Sequence, residues 1–495
     1  MGPNYKKVEP ETPAAWLGAH EDNGREGPGA SAPTTVPPES HHRWWLAFDD
    51  PTLTKLVERA RAKSLTLEIA RARLAEARAA TGIARAGLLP SFSASSGASD
   101  QRVSNRAFEV FPLPQGAEPE RDREIYRAGL DASWEFDLFG RNRRSLEAAR
   151  ARLGGAEAAL DAARLSVTSE TARAYLEYRG AEAGRQALEN AIAFKEEALE
   201  LVNRKRETGL ATRVDVARAR SALESARAEL PGLCAEIRLR AYQLGVLAAM
   251  PPRAILDFLE ESATDGSEAT VAENTLSAAN RSLNRDAAPE PHQLVPQPAW
   301  TQPAELPLRV IRSRPDVNQA ERKLAASAAE VAMATANLYP RINLSAALFA
   351  ESSAIGELDA SQNQGYNLMG GILAPIWQGG RLRARLDAVE ASRNAAEGKF
   401  QQTVLRALAD VESALVGYVE AQNRLRRQLA AREANAEFAR LTRHLYDADL
   451  AELLTLTEAQ AQLAQSERAL ARATTQAASQ AVTLNKALGG GRNGL

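Results

Sequence analysis

The side chains with the most chemistry to offer cluster in RHLYDADLAELL, residues 443–454. Asp447 and Asp449 stand two positions apart, with Tyr446 and Arg443 just before them. Carboxylates so spaced can attract a cation or pair with a guanidinium or a phenol. They are not a catalytic set, because no nucleophile with a general base accompanies them anywhere in the sequence. His20, His41, His42, His292 and His444 offer no ligand spacing beyond one adjacent pair, so no metal site is expected. Cys234, the single cysteine, rules out an internal disulfide and a thiolate cluster and reads as a small packing residue. GGR at 379–381 lacks the spacing and the Lys-Ser/Thr of a phosphate-binding loop and reads as a flexible corner. A second stretch, TGLATRVD at 208–215, marks a helix stop and restart, with Gly209 suited to the positive φ of a helix end. The reading is of a protein that is not an enzyme and needs no cofactor.

Long helices must carry these turns. Ala, Leu, Arg and Glu dominate and aromatics are only 5%, the composition of coiled coils. The 61 Lys+Arg nearly cancel the 63 Asp+Glu, and no basic stripe points to nucleic acid. No apolar run reaches the length of a membrane-spanning helix. No cleavable signal follows Met1, so an exported protein would be a trimmed form. From Arg141 to Thr208 there is no proline, and Leu146, Leu153, Leu160, Val167, Ala174, Ala181 and Leu188 recur every seven residues. A straight helix of that length spans roughly 100 Å. After Gly209 a return helix carries Val216, Leu223, Leu230, Ile237 and Leu244, with Pro231 expected to kink it.

The chain is an internal duplication. LAEARAATGIARAGLLP ending at Pro90 parallels LAASAAEVAMATANLYP ending at Pro340, and Gly140-Arg141 parallels Gly380-Arg381. The second return seam runs Leu456, Leu463, Leu470, Ala477, Leu484. In each copy a helix ends at a proline and two alternating segments follow. YRAGLDASWEFDLFGR, at 126–141, places Tyr126, Ala128, Leu130, Ala132, Trp134, Phe136 and Leu138 on one side. Its partner SFSASSGASDQ offers Phe92, Ala94 and Ala98. RINLSAALFAE gives Ile342, Leu344, Ala346 and Leu348, and YNLMGGILAPIW gives Leu368, Ile372 and Ile376. Such period-two alternation predicts strands with one apolar face.

Half-buried strands usually belong to a soluble sheet. Here the opposite face is polar, the hairpin occurs twice, and each copy leads into a rod. Leu130, Phe136, Leu344, Leu348 and Ile372 are therefore expected to face lipid. Four strands cannot close a barrel and open edges do not persist in lipid. Three chains would supply twelve strands, within the range of outer-membrane barrels. Trp134 and Trp377, near strand ends adjoining the long helices, suit an aromatic interface girdle.

The sequence resembles the TolC/OprM-type outer-membrane efflux channels in their lipoprotein branch. The matching text is WEFDLFGR at 134–141, TGLATRVDVARARSAL at 208–223, RSRPDVNQAE at 312–321, ATANLYPRINLS at 334–345 and APIWQGGRLRA at 374–384. The opening GPNYKKVEP is similar to that branch's mature start, without the acylated cysteine that anchors it to lipid. The resemblance implies a mainly α protein with a membrane β portion. It would be a homotrimer whose twelve-stranded β-barrel in the outer membrane continues as a twelve-helix α-barrel in the periplasm. It implies a passive duct served by a periplasmic adaptor and an inner-membrane RND-type pump, exporting drugs or other small toxic compounds. Alternatives are the duct of a type I protein-secretion system, or a soluble coiled-coil scaffold. Gly209, Leu210, Thr212, Arg213 and Asp215 become candidates for adaptor docking at the tip, and Asp447, Asp449, Tyr446 and Arg443 for the periplasmic gate.

The corresponding division has an extended segment at 1–50 wrapping the tunnel and the first-repeat helices at 51–90. Hairpin one follows at 91–138, with an extracellular loop at about 104–125. The first long helical hairpin spans 139–250, and an equatorial linker covers 251–312 with extended chain and a few short helices. The second repeat has a helix at 313–340 and hairpin two at 341–377, with a loop at about 352–365. The second helical hairpin, 378–488, and a tail, 489–495, complete the chain.

Overall fold

The computed structural model describes residues 5, 16, 38–102, 122–273, 294–298, 307–448 and 450–490. Most of the 1–50 segment, most of the loop at 104–125, much of the linker, Asp449 and nearly all of the tail lie outside the described residues. In chain order, 3-10 turns at Pro38–Phe48 lead to α1 (Pro51–Lys63), α2 (Leu65–Ala86), β1 (Ser91–Arg102) and β2 (Asp122–Phe136). Then come α3 (Arg141–Glu207), α4 (Arg213–Leu247), α5 (Pro252–Glu273), α6 (Pro307–Ser313) and α7 (Pro315–Ala336). The strands β3 (Arg341–Ser352) and β4 (Gln364–Leu373) and the helices α8 (Arg381–Asp447) and α9 (Leu453–Ala487) finish it. The duplication is metric as well as textual: α3 and α8 each have 67 residues, α4 and α9 each 35, α2 and α7 each 22.

The chain divides into two compact units. The first comprises Met1–Glu9, Arg73–Glu157 and Gln319–Gln401. It holds one antiparallel sheet in the order β1-β2-β3-β4. Register settles which side chains share a face, because directly opposed residues point the same way. Ala94 opposes Leu130, which opposes Leu348, which opposes Tyr366. Trp134 opposes Leu344, and Phe136 opposes Ile342, which opposes Ile372. These apolar residues line one face, and Leu130, Phe136, Leu344, Leu348 and Ile372 are all exposed on it. The other face carries Ser91, Ser93, Ser95, Asp131, Ser133, Glu135, Asn343 and Ser345. Phe349, Met369, Leu373 and Ile125 are large exceptions there, Phe349 the bulkiest. The Phe349 ring lies over Gly365, where a Cβ would come within 2.8 Å, and the Arg127 guanidinium stacks 4.3 Å from its centre.

Two residues expected on the apolar face fall off the sheet. Leu138 lies beyond β2 because Asp137 leaves the ladder to cap α3, accepting the N–H groups of Asn142 at 3.1 Å and Arg143 at 2.8 Å. Ile376 lies beyond β4, which ends two residues before Pro375, a residue with no ladder donor. The rest of the first corner is equally specific. Glu135 grips Arg141 through two bonds of 3.0 and 2.7 Å, and Gly140 takes φ +85° to turn the chain. Phe139 stacks on Tyr339 at 5.1 Å, and the Trp134 indole donates to the Leu88 carbonyl at 3.1 Å.

The second unit comprises Pro10–Ala72, Ala158–Asn318 and Gln402–Leu495. The heptad residues Leu160, Val167, Ala174, Ala181 and Leu188 of α3 are buried in it, as are Leu223 and Leu244 of α4 and Leu456, Leu470, Ala477 and Leu484 of α9. Leu230, Ile237 and Leu463 are half-buried. Helix α4 runs unbroken through Pro231. Small residues set the helix spacing: a Cβ on Gly180 would lie 2.2 Å from the Thr475 hydroxyl. Trp44, Trp45, Phe48, Leu53 and Leu56 join Leu176, Leu244, Ile255 and Leu484 in one core, each fully buried side chain contributing about 1.5–3 kcal/mol. Within the linker, α5 is longer than the short helices expected, with Ile255 and Leu259, one turn apart, both buried in that core.

The RSRPDV text owes its character to a buried cation. Arg314 is only 9% exposed along its side chain and meets Asp316 at 2.8 Å and Asp410 at 3.0 Å. It also donates to the carbonyl of Ala487, the last residue of α9, at 2.8 Å. Burial disfavours the charged form of Asp316, but the Arg314 hydrogen bonds and charge outweigh it and hold the carboxyl below its ordinary range.

Candidate functional site

The two turns that reverse the long helices collect the polar chemistry. At the first, Gly209 adopts φ +80° with open space around it. The Leu210 N–H donates to Lys205 O at 2.8 Å and the Gly209 N–H to Arg206 O at 3.0 Å, the paired bonds of a Schellman ending. Thr212 then starts α4 with a reciprocal capping box. The Asp215 N–H donates to its hydroxyl at 3.2 Å, and its own N–H donates to the Asp215 carboxylate at 2.8 Å. Those Thr212 bonds hold the Asp215 carboxyl below its ordinary range. Gly209, Leu210, Thr212, Arg213 and Asp215 thus form one compact knuckle. Leu210, 78% accessible, is its most exposed apolar point, with Val214 also exposed.

At the second turn the Leu450 N–H donates to Leu445 O at 2.8 Å, matching the first. No side chain caps α9, whose N-cap is Glu452. Tyr446, a gate candidate, is buried in the single chain. It is 6% exposed, with Lys205 Nζ 4.2 Å from its ring centre and, among the described residues, no partner for its hydroxyl. Arg443 reaches α3 instead, meeting Glu197 at 2.5 Å. Asp449 lies outside the described residues, and only the backbone of Asp447 is described, as the last residue of α8. Glu197 and Lys205 are the contact partners of these candidates that heptad reading misses. Their signal was present in the duplication, since Arg206 and Tyr446 occupy equivalent places and the two helix ends therefore meet level.

Among the aromatics, Trp134 is half-buried and packs edge-on against Phe136 at 5.6 Å, whereas Trp377 is 85% exposed beyond β4. Toward the same helix ends, a cavity of about 180 Å³ lies between α3, α4 and α9, lined by Ala191, Phe194, Ala198, Ala219, Ala461 and Ala464. Among the described residues no His, Cys, Asp or Glu group could hold a metal, and no helix is long and apolar enough to cross a membrane.

Comparison with known proteins adds the lineage. The family model described as outer membrane efflux protein matches residues 56–246 and 306–490, one stretch in each repeat. The chain belongs to the outer membrane efflux protein family. This efflux protein is 30% identical to nodulation protein T of Rhizobium leguminosarum bv. viciae, over 90% of this chain and 84% of that one. It is likewise 30% identical to the pyoverdine export outer membrane protein OpmQ of Pseudomonas aeruginosa, over 91% and 87% of the two chains. The solved outer-membrane channel OprN superposes on it with a TM-score of 0.79 at 29% identity, covering 99% of both chains. As an efflux protein of the TolC/OprM type it shares its mainly helical architecture with channels.

Proposed function

We propose that three copies of this chain join β4 to β1 into a twelve-stranded outer-membrane barrel, continued by a twelve-helix tunnel in the periplasm. The observation that carries the reading is the four-stranded sheet, greasy on one exposed face, polar on the other, and unpaired at both edges among the described residues. Leu130, Phe136, Leu344, Leu348 and Ile372 would face lipid, with Trp134 and Trp377 at its periplasmic border. The division of the chain set out above follows from this arrangement, and an acylated N-terminus would add an anchor.

The assembly is a passive exit duct for small toxic compounds, drugs among them, loaded by an RND-type inner-membrane pump through a periplasmic adaptor. Relatives named for export across the outer membrane support the efflux role. The knuckle at 208–215 is the docking point for the adaptor. Tyr446, Asp447, Asp449 and Arg443 form the gate, and the Arg443–Glu197 and Lys205–Tyr446 contacts resist its outward rotation. Detergent-purified protein is expected at the mass of three chains and to give stepwise conductance in planar bilayers. A monomeric, electrically silent particle would end the proposal. Crosslinking from Gly209→Cys to the adaptor tests the knuckle, and failure at every position of 208–215 removes its docking role.

A further inference from the structure

The two strand-to-helix corners of the first unit are duplicates that have diverged in charge. Aligning Gly140 with Gly380 pairs Arg141 with Arg381 and Arg143 with Arg383, but pairs Glu135 with Pro375 and Asp137 with Trp377. In the first corner each cation has its own carboxylate. Glu135 holds Arg141, while Asp137 accepts both the Arg143 backbone N–H and, at 3.4 Å, its guanidinium. The second corner keeps the cations and has lost both anions. No acidic residue occurs between Asp359 and Asp387. Arg381 bonds the neutral amide of Gln378, and neither the exposed Arg383 and Arg385 side chains nor the Leu382 and Arg383 N–H groups meet a side-chain acceptor among the described residues. Cations at a helix start oppose the helix dipole, so this arrangement is unfavourable until an anion arrives.

The neighbouring residues say where that anion comes from. Ile376 and Trp377, 98% and 85% exposed, project from the same corner directly after β4. An apolar residue and a tryptophan beside unpaired arginines match the depth at which phospholipid phosphates meet acyl chains. We propose that the Trp377–Arg385 corner binds the anionic phosphodiester of a phospholipid in the periplasm-facing leaflet, filling the place that the Asp137 carboxylate fills in the first repeat. The inference rests on the barrel reading above.

The test reconstitutes the full-length protein into phosphatidylethanolamine vesicles containing phosphatidylglycerol, re-extracts it, and counts retained phosphatidylglycerol by native mass spectrometry. The pair Arg383→Gln and Arg385→Gln should lower retention about tenfold, the scale of one lost charged hydrogen bond. Arg143→Gln, the first-corner control, should leave it unchanged, and Trp377→Asp, which restores an internal carboxylate, should displace the lipid with the fold intact. Competition by inorganic phosphate at matched concentration would overturn the lipid source. Equal retention in the Gln pair and the parent, in channels that insert and conduct, would overturn this proposal alone. So would a Gln pair that weakens only the association of copies, since the missing anion would then be a neighbour's carboxylate. Protein that never enters the vesicles would overturn the barrel reading and this one with it.

Discussion

The turn after α3 and the turn after α8 join helices of identical lengths, yet they are finished by opposite means. The first is closed from within by a positive-φ glycine, two Schellman bonds and the Thr212–Asp215 box. The second has Asp449 in the sequence place of Gly209 and no side-chain cap at Glu452. It keeps the backbone bond from Leu450 N–H to Leu445 O, and its side-chain hold comes from α3, through Lys205 against Tyr446 and Glu197 against Arg443. A turn bonded to itself makes a firm docking point. A turn held from outside can be released from outside. Duplication supplied one hairpin twice, and on the proposed function divergence would have made one copy the firm docking point and the other the releasable gate.

Three experiments would break or sharpen this contrast. The largest effect is expected from Lys205→Ala combined with Arg443→Ala, which should raise bilayer conductance several-fold by freeing the second turn. Unchanged conductance would mean that these ties do not hold the channel shut. Next in size is an exchange of caps. Thr212→Ala should cost about 1 kcal/mol at the first turn and Glu452→Thr should contribute a similar amount at the second. Amide exchange at Val214–Val216 and Leu454–Leu456 reads both, and no response to a new cap at the second turn would erase the difference. The smallest effect is one of pH. Because the folded Asp215 carboxyl is held below its ordinary range, the stability it brings is complete above about pH 4 and disappears as pH falls through the lowered value. Protection of the first turn should fall in acid, Asp215→Asn should flatten that dependence, and the uncapped second turn should show no counterpart.

What could be read before the structure was whatever repeats with a period. Alternation put Leu130, Leu344 and Leu348 on one face, and strand register does the same. Heptads picked out Leu160, Val167 and Leu188, which are buried. Partners across helices have no period, so the Asp410 contact of Arg314 was invisible in one sequence, and Glu197 and Lys205 could be approached only through the level helix ends that the duplication sets. Alternation also misled at its ends. Asp137 read as one more polar-face residue, although its carboxylate is taken by α3, and so Leu138 was carried along a ladder that had already stopped. Tyr446 was named as a gate candidate from its charged neighbours, and nothing in the local text showed Lys205 above its ring.

The unpaired margins of the sheet have a kinetic corollary. Each lone chain would bring two rows of unsatisfied amides into hydrocarbon, at several kcal/mol apiece. If three copies build the proposed barrel, entry into the bilayer is therefore a collective event. Its rate should climb more steeply than linearly with the supply of newly exported chains, and a scarce chain should wait at the lipid surface.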